Sequence, residues 1–453
     1  MKSESQPAPH PRGGLHRMVS GFSASAVLRI ARLGINVVIT GLLARHLGSA
    51  GFGALSASLA LVSLFYTLAE LGMGRVLVRE LLRDDANRAE LMGSSFYTRT
   101  GVGIALFASL AAYALVFEPA HASLLLIYGL ALLTHATTDL LAWLEAERRM
   151  PAAYLCQFGG FMVSVIAILA GMIWKAPLWF FALTFIIECL VTAAALMMRY
   201  HQLGGSMKAW VWNKALSVRL LRESWYEIAT QLTLLMLLRL DAVMVQAMRG
   251  ETEAGYYAAA VRISEVAYFL PMMLAGFMLP PLMQRRQSGA ADYRDRVADY
   301  FGITITFTLP IALGIVATAP WIVRLLFGPG FDPAVPMLAV HAWALIPFAL
   351  GIARTQYLTI EGRLWANIPA VVAALVINVV LNWLWIPAHG GLGAAWATLI
   401  AYSLAWVIST PCMASTRELT TLMIRGVLRL PHLITDARSR LIHSAPVPTS
   451  SPS

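Results

Sequence analysis

The sequence predicts an all-α, polytopic membrane protein: about 12 transmembrane helices in two parallel six-helix bundles around a central cavity. Three observations lead there. Of 453 residues, 58% are hydrophobic and only 13% charged, about half the charge of a soluble domain. Apolar runs near the roughly 20 residues that a spanning helix needs recur along the whole chain. The cations between those runs alternate in a lopsided way, as the positive-inside rule describes for membrane proteins.

The runs come in order. In the first half they cover 18–46, 52–78, 92–117, 122–145, 152–174 and 177–199; in the second, 223–248, 255–284, 297–326, 334–359, 366–387 and 392–414. Turn-forming residues separate them, among them Gly48-Ser49-Ala50-Gly51, Glu118-Pro119, Gly328-Pro329-Gly330 and Pro387-Ala388-His389-Gly390-Gly391. The first run, from Met18 to Leu47, is too long for the core of a cleaved signal peptide and shows no small-residue cleavage site.

Charge sets the orientation. With the N-terminus inside, 23 of the 34 lysines and arginines fall on the inner side, 4 on the outer side and 7 within spans. The expected layout is a cytoplasmic tail over 1–17, a six-helix bundle over 18–199, a connector over 200–222, a second bundle over 223–414 and a cytoplasmic tail over 415–453. The net charge of +10 is thereby assigned to the membrane surface and not to nucleic acid. Short outer loops leave no room for a folded extracytoplasmic catalytic domain, so no enzyme is expected. Cys156, Cys189 and Cys412 lie in apolar runs without metal-ligand spacing and read as small core residues; no metal and no cofactor is expected.

The halves repeat. Ala50-Gly51-Phe52-Gly53-Ala54 opens the second run, and Ala254-Gly255-Tyr256-Tyr257-Ala258 opens the eighth, 204 residues later. Leu144-x-x-Glu147-x-Arg149-Met150 closes the fourth, and Leu358-x-x-Glu361-x-Arg363-Leu364 closes the tenth, 214 residues later. Six runs per half make the repeats parallel, the arrangement in which transporters bind substrate between their halves. The connector, with Trp210 and Trp212 among Lys208, Lys214, Arg219 and Arg222, reads as an amphipathic helix on the inner surface. The tail from Thr416 to Arg429 is a second such candidate. Trp143, Trp174, Trp179 and Trp321 read as interfacial anchors.

Charges held at membrane depth are costly, and they mark functional sites by default. The seven cations within spans are all arginine: Arg29, Arg32, Arg75, Arg99, Arg239, Arg262 and Arg354. Guanidinium stays charged when desolvated and forks onto phosphate. In the first run Ser25, Arg29, Arg32, Asn36 and Thr40 are spaced 4, 3, 4 and 4, which is one helical face. Such a stripe should line an aqueous cavity, with both arginines about 15–20 Å from the inner end at 1.5 Å per residue. Arg239 precedes Asp241 on opposite sides of one helix. Arg262 and Glu265 share a face and could simply pair. Structural ion pairing and substrate binding both stay open for these four. Arg75, Arg99 and Arg354 lie near inner helix ends, where snorkelling is expected. Glu70, Glu188, Asp241 and Glu265 are candidates for carrying a coupling proton or sodium ion. Asp139 is a fifth buried acid, and His135 and His341 read as core histidines.

These residues also carry a resemblance. Leu47-Gly48-Ser49-Ala50-Gly51-Phe52-Gly53, with Glu70-Leu71-Gly72 after it, resembles the opening of polysaccharide export flippases of the MOP (multidrug/oligosaccharidyl-lipid/polysaccharide) superfamily. Arg239-Leu240-Asp241 with Ala254-Gly255-Tyr256-Tyr257 through Arg262 resembles the start of that family's second half. The segments Leu325-Leu326-Phe327-Gly328-Pro329-Gly330-Phe331, Asn378-Val379-Val380-Leu381-Asn382 and Gly391-Leu392-Gly393-Ala394 resemble later parts. The resemblance implies a multi-pass protein of the bacterial inner membrane that carries undecaprenyl-diphosphate-linked oligosaccharide, an O-antigen or exopolysaccharide unit. Arg29, Arg32, Arg239 and Arg262 would bind the diphosphate, and Ser25, Asn36 and Thr40 would line the cavity. Membrane lipids are expected partners, and a polysaccharide polymerase complex is a candidate companion. The rival readings are a lipid II flippase and a drug or cation antiporter of the same superfamily.

Overall fold

The computed structural model describes the backbone of residues 12–83 and 87–429 and the side chains of 27–83 and 87–429. The helices follow the apolar runs, with instructive differences. Helix α1 (Arg12–Glu70) holds the first run and most of the second. It breaks at Gly48, whose φ of 70° and ψ of 176° are not helical. Leu71 and Gly72 are both left-handed and turn the chain into α2 (Met73–Arg83). The second run is therefore two helices, because the Glu70-Leu71-Gly72 motif is a backbone turn. Helix α3 (Arg88–Phe117) is continuous. The fourth run is α4 (Ala122–Gly129), α5 (Ala131–Thr134), a 3₁₀ turn over His135–Thr138, and α6 (Asp139–Ala146). Helices α7 (Met150–Ile173) and α8 (Leu178–Gln202) follow.

The connector is not one amphipathic helix. Gly204, at φ 87°, ends α8, a short 3₁₀ turn covers Met207–Ala209, and α9 (Lys214–Arg249) then runs unbroken through the seventh run. Trp210 is buried and donates its Nε1–H to Tyr200 Oη at 3.0 Å, so it belongs to the core; Trp212 stays exposed. Trp143 is likewise buried, edge-on to Tyr200, unlike exposed Trp174, Trp179 and Trp321. Cys412, read as a core residue, is exposed.

In the second half come α10 (Glu251–Ala267) and α11 (Phe269–Gln287), then α12 (Tyr293–Phe327). The tenth run is α13 (Ala334–His341), a 3₁₀ turn over Ala342–Ala344, and α14 (Leu345–Ile360). Helix α15 (Asn367–Ser403) carries the last two runs and breaks at Gly390, with φ 58° and ψ −142°. There the Gly391 N–H donates to Glu253 Oε1 at 2.8 Å, and a Cβ on Gly390 would strike the Glu253 carboxylate. The chain continues through a π-helical turn, Leu404–Ile408, and α16 (Ser409–Cys412). Helix α17 (Arg417–Leu428) lays Leu419, Leu422, Met423 and Gly426 against α12.

Ten helical segments among the described residues are long and apolar enough to cross a membrane, and two of them, of 57 and 49 residues, contain the breaks at Gly48 and Gly390. Two compact units result. One comprises the residues up to Leu47 with Ala54–Leu235, the other Gly48–Gly53 with Met236 onward. The first is packed around Met73, Leu77, Leu140, Leu144, Tyr200 and Trp210. The second is packed around Phe301, Leu350, Leu358 and Leu419. Exposed Leu, Ile, Val and Trp side chains are plentiful in both, as lipid-facing helices require. Inside such helices close packing, not burial from water, supplies the cohesion.

Candidate functional site

In the first unit, the polar face of α1 packs against α7 and α8. The Arg29 guanidinium lies 4.2 Å from the ring centroid of Tyr154, a cation–π stack. Arg29 has no carboxylate partner among the described residues and its side chain is exposed. Three residues on, Arg32 donates to Glu188 Oε1 at 2.5 Å and sits 5.1 Å from the Phe161 ring. The pair joins residues 156 apart in sequence. Thr40 Oγ1 donates to Asn36 Oδ1 at 3.5 Å; the Ser25 side chain lies outside the described residues.

The register with α7 revises the depth expected for Arg29. Tyr154 is four residues into α7, so this guanidinium lies about 6 Å from that helix's first residue, and the one over Phe161 about 16 Å. Along α7, Arg29 thus lies near the helix start and Arg32 about two turns further on. Glu188 sits in the middle of the 25-residue α8. Glu70, the last residue of α1, is half-buried and makes no ion pair among the described residues.

In the second unit Arg239 and Asp241 do point apart. Arg239 reaches Glu265 on α10 at 2.8 Å. Asp241 is buried; its Oδ1 accepts the Ala242 N–H at 2.7 Å, and its Oδ2 accepts the hydroxyls of Tyr257 and of Thr398, the latter at 3.1 Å. Further buried polar side chains lie in the same unit: His341, the core histidine expected from the sequence, and Ser264, Asn378 and Asn382, which were not expected as such. Ser264 bonds His341 Nδ1 at 2.7 Å, and Asn382 Nδ2 donates to Asn378 Oδ1 at 3.0 Å. The signal was present in the Asn-x-x-x-Asn spacing of one helical face.

Two arginines expected to snorkel are core residues instead. Arg99 is 2% exposed and is paired with fully buried Asp139. It also donates to Thr138 Oγ1 at 2.8 Å and lies 3.2 Å from His135 Nδ1, whose ring stacks on Tyr66. Arg354 is completely buried and pairs with no acid among the described residues. It donates to the carbonyl of Ala405 at 2.6 Å, to Ser409 Oγ at 2.7 Å and to the carbonyl of Ala366 at 3.4 Å. The π turn at 404–408 shifts the local hydrogen-bond ladder, and the guanidinium takes up the Ala405 carbonyl within it. Arg75 alone of the three keeps an exposed side chain, 3.1 Å from Glu227.

This fold matches solved membrane transporters over nearly its whole length. Lipid II flippase MurJ in an inward closed conformation aligns over 91% of this chain and 92% of its own, with TM-score 0.72 and 12% identity. An inward-facing multidrug resistance MATE family transporter of the MOP superfamily aligns over 90% and 99%, with TM-score 0.68 and 12% identity. A MOP superfamily transporter from Pyrococcus furiosus, described as having a binding pocket of reverse polarity, aligns over 92% and 94%, with TM-score 0.59 and 12% identity. At such identity the likeness establishes the fold. None of the curated protein sequences compared with the chain matches it. The sequence profile described as "Polysaccharide biosynthesis protein" matches residues 18–285. With more than half of its length under that profile and a transporter fold throughout, this multi-pass membrane chain belongs to the polysaccharide biosynthesis protein family.

Proposed function

We propose that the protein is a flippase for undecaprenyl-diphosphate-linked oligosaccharide, an O-antigen or exopolysaccharide repeat unit, working by alternating access in a bacterial inner membrane. The polysaccharide family supports the pathway, and the MOP-type fold supports transport. One observation carries the choice of cargo: Arg29 and Arg32 stand three residues apart on α1, and Arg29 has no carboxylate partner among the described residues. A diphosphate head group cannot cross hydrocarbon by itself. Guanidinium forks supply it with charge-assisted hydrogen bonds, while the prenyl tail stays in lipid. Arg239 and Arg262 are the second half's candidates for the same head group, and Asn36 and Thr40 hydrate the sugar. Coupling to H⁺ or Na⁺ runs through buried Asp241, with Glu70 and Glu265 as further carriers. Twelve passes in two bundles, with both termini cytoplasmic, belong to the same reading.

The test is surface polysaccharide in a strain that depends on this gene. Replacing Arg29 and Arg32 together with alanine should reduce export at least about tenfold, since each bond to a charged group contributes about 1.5–3 kcal/mol. Unchanged export in a variant present at normal level defeats the assignment. The fold likeness to MurJ keeps a lipid II flippase as the second reading. Depletion separates the two: loss of polysaccharide with normal wall growth supports the first, and arrested wall growth the second.

A further inference from the structure

Glu188 was a candidate ion carrier; its place beside Arg32 supports another role. We propose that Glu188 is an internal stand-in for the substrate phosphate, holding Arg32 in the empty site and reclaiming it to expel the head group. The inference rests on the phosphate site proposed for α1 and specifies how that site is emptied.

The geometry carries it. The Arg32–Glu188 pair is open on one side: the arginine side chain is 40% exposed and the glutamate 17%. A guanidinium has five N–H donors, and among the described residues Arg32 spends one of them on Glu188, with its flat face toward Phe161. Donors therefore remain for a second anion while the carboxylate is in place. The buried pair Arg99–Asp139 is the opposite case. It is 2% and 0% exposed, and Thr138 and His135 hold the same guanidinium. No ligand can compete there. Arg29 adds the second requirement. It lies one helical turn from Arg32, and its face rests on Tyr154 with no carboxylate partner among the described residues. An arriving phosphate meets Arg29, nearer the start of α7, first and Arg32, held by Glu188, second.

Exchange follows from charge. A diphosphate brings about two negative charges and bidentate geometry, so it outcompetes a single carboxylate for Arg32. Glu188 then remains close as a repelled like charge. That repulsion lowers the affinity of the loaded site and speeds release. A site of two bare arginines would hold the head group tightly and turn over slowly, because binding that is equally strong throughout the cycle does not promote it.

The experiment uses the purified full-length protein in detergent, with farnesyl diphosphate as a short, dispersible prenyl diphosphate, together with polysaccharide export in cells. Glu188→Gln should bind farnesyl diphosphate about tenfold tighter than wild type, the effect of removing one competing charge near the surface of a low-dielectric region. Its export should nevertheless fall several-fold. Glu188→Asp, which restores the charge, should return both toward wild type. A merely structural glutamate would give weaker binding and weaker export together, and that result overturns the inference. So does unchanged affinity in Glu188→Gln. If Arg29→Ala and Arg32→Ala weaken binding while Glu188→Gln leaves it unaltered, the phosphate site stands and only the stand-in role fails. If wild type and Glu188→Gln both fail to bind the probe, the diphosphate reading falls and this inference falls with it.

Discussion

Residues 122–146 in the first unit and 334–360 in the second are the same structural device with different buried chemistry. Each is a helix interrupted by a 3₁₀ turn beside a buried histidine, His135 in one and His341 in the other. Each ends in the same cap. Arg149 N–H donates to the Leu144 carbonyl at 2.8 Å and Arg363 N–H to that of Leu358 at 2.8 Å. The residue before, Arg148 or Gly362, is left-handed at φ 55° or 67° and donates to the carbonyl of Glu145 or Thr359. This is the Schellman arrangement. The last acid of each helix then ties down a neighbour: Glu147 pairs with Arg88, and Glu361 takes both Arg286, at 2.8 Å, and the Tyr293 hydroxyl, at 3.0 Å. The buried cations differ. In the first unit Arg99 is neutralised by Asp139; in the second the Arg354 guanidinium donates to carbonyls and a hydroxyl. The repeat therefore preserves main-chain geometry and the capping acid, while the polar interior of each half solves its own hydrogen-bonding problem.

The largest expected effect breaks the comparison at those interiors. Asp139→Asn leaves the Arg99 guanidinium buried without its counter-charge and should cost about 3–5 kcal/mol. Arg354→Met removes its own charge and strands only carbonyls, so about 1–3 kcal/mol is expected. Thermal unfolding of the purified variants in detergent ranks them. Equal losses would mean that the ion pair is no more critical than the carbonyl cap.

A smaller effect sharpens the comparison at the caps. Arg148 pays for a left-handed backbone that Gly362 adopts freely. Arg148→Gly should stabilise by about 0.5–1 kcal/mol and Gly362→Arg should destabilise by a similar amount. The same melting measurement reads both; matching signs would show that the two caps are not equivalent.

The smallest effect lies in the loops ahead of these helices. Where the first unit pairs His121 with Glu118, the second pairs Arg324 with Asp332 at 2.9 Å. The hydrogen bond from Arg324 holds the Asp332 carboxyl below its ordinary value. Because the folded value is the lower one, its contribution is complete above the unfolded value, about 3.9, and fades as pH falls through the folded value. Asp332→Asn should melt slightly earlier than wild type at neutral pH and together with it in strong acid. A gap that persists in acid would assign the effect to packing.

Much of this was readable in the chain. Twenty-odd apolar residues can satisfy their backbone in lipid only as helix, so the runs located the helices, though not all of their ends. The glycine clusters at 48–51 and 390–391 located the two breaks. The Leu-x-x-Glu repeat announced the matched caps before their bonds were known. The connector misled because its charges and tryptophans suit a surface helix, yet Gly204 ends α8 and Trp210 finds a core partner in Tyr200. The arginines misled in the same way. Their place within apolar runs was legible, but their partners were not.

Residue order alone makes the chain a helical membrane protein, places each helix roughly and puts only arginines among the cations within its apolar runs. Those properties follow from local hydropathy, backbone hydrogen bonding and charge, which need no knowledge of neighbours. Packing alone brings Arg32 to Glu188, Arg99 to Asp139 and Arg354 to the Ala405 carbonyl. Partners 156, 40 and 51 residues apart are chosen by how helices pack. A charged side chain in a low-dielectric interior binds whichever polar group that packing brings within about 3 Å.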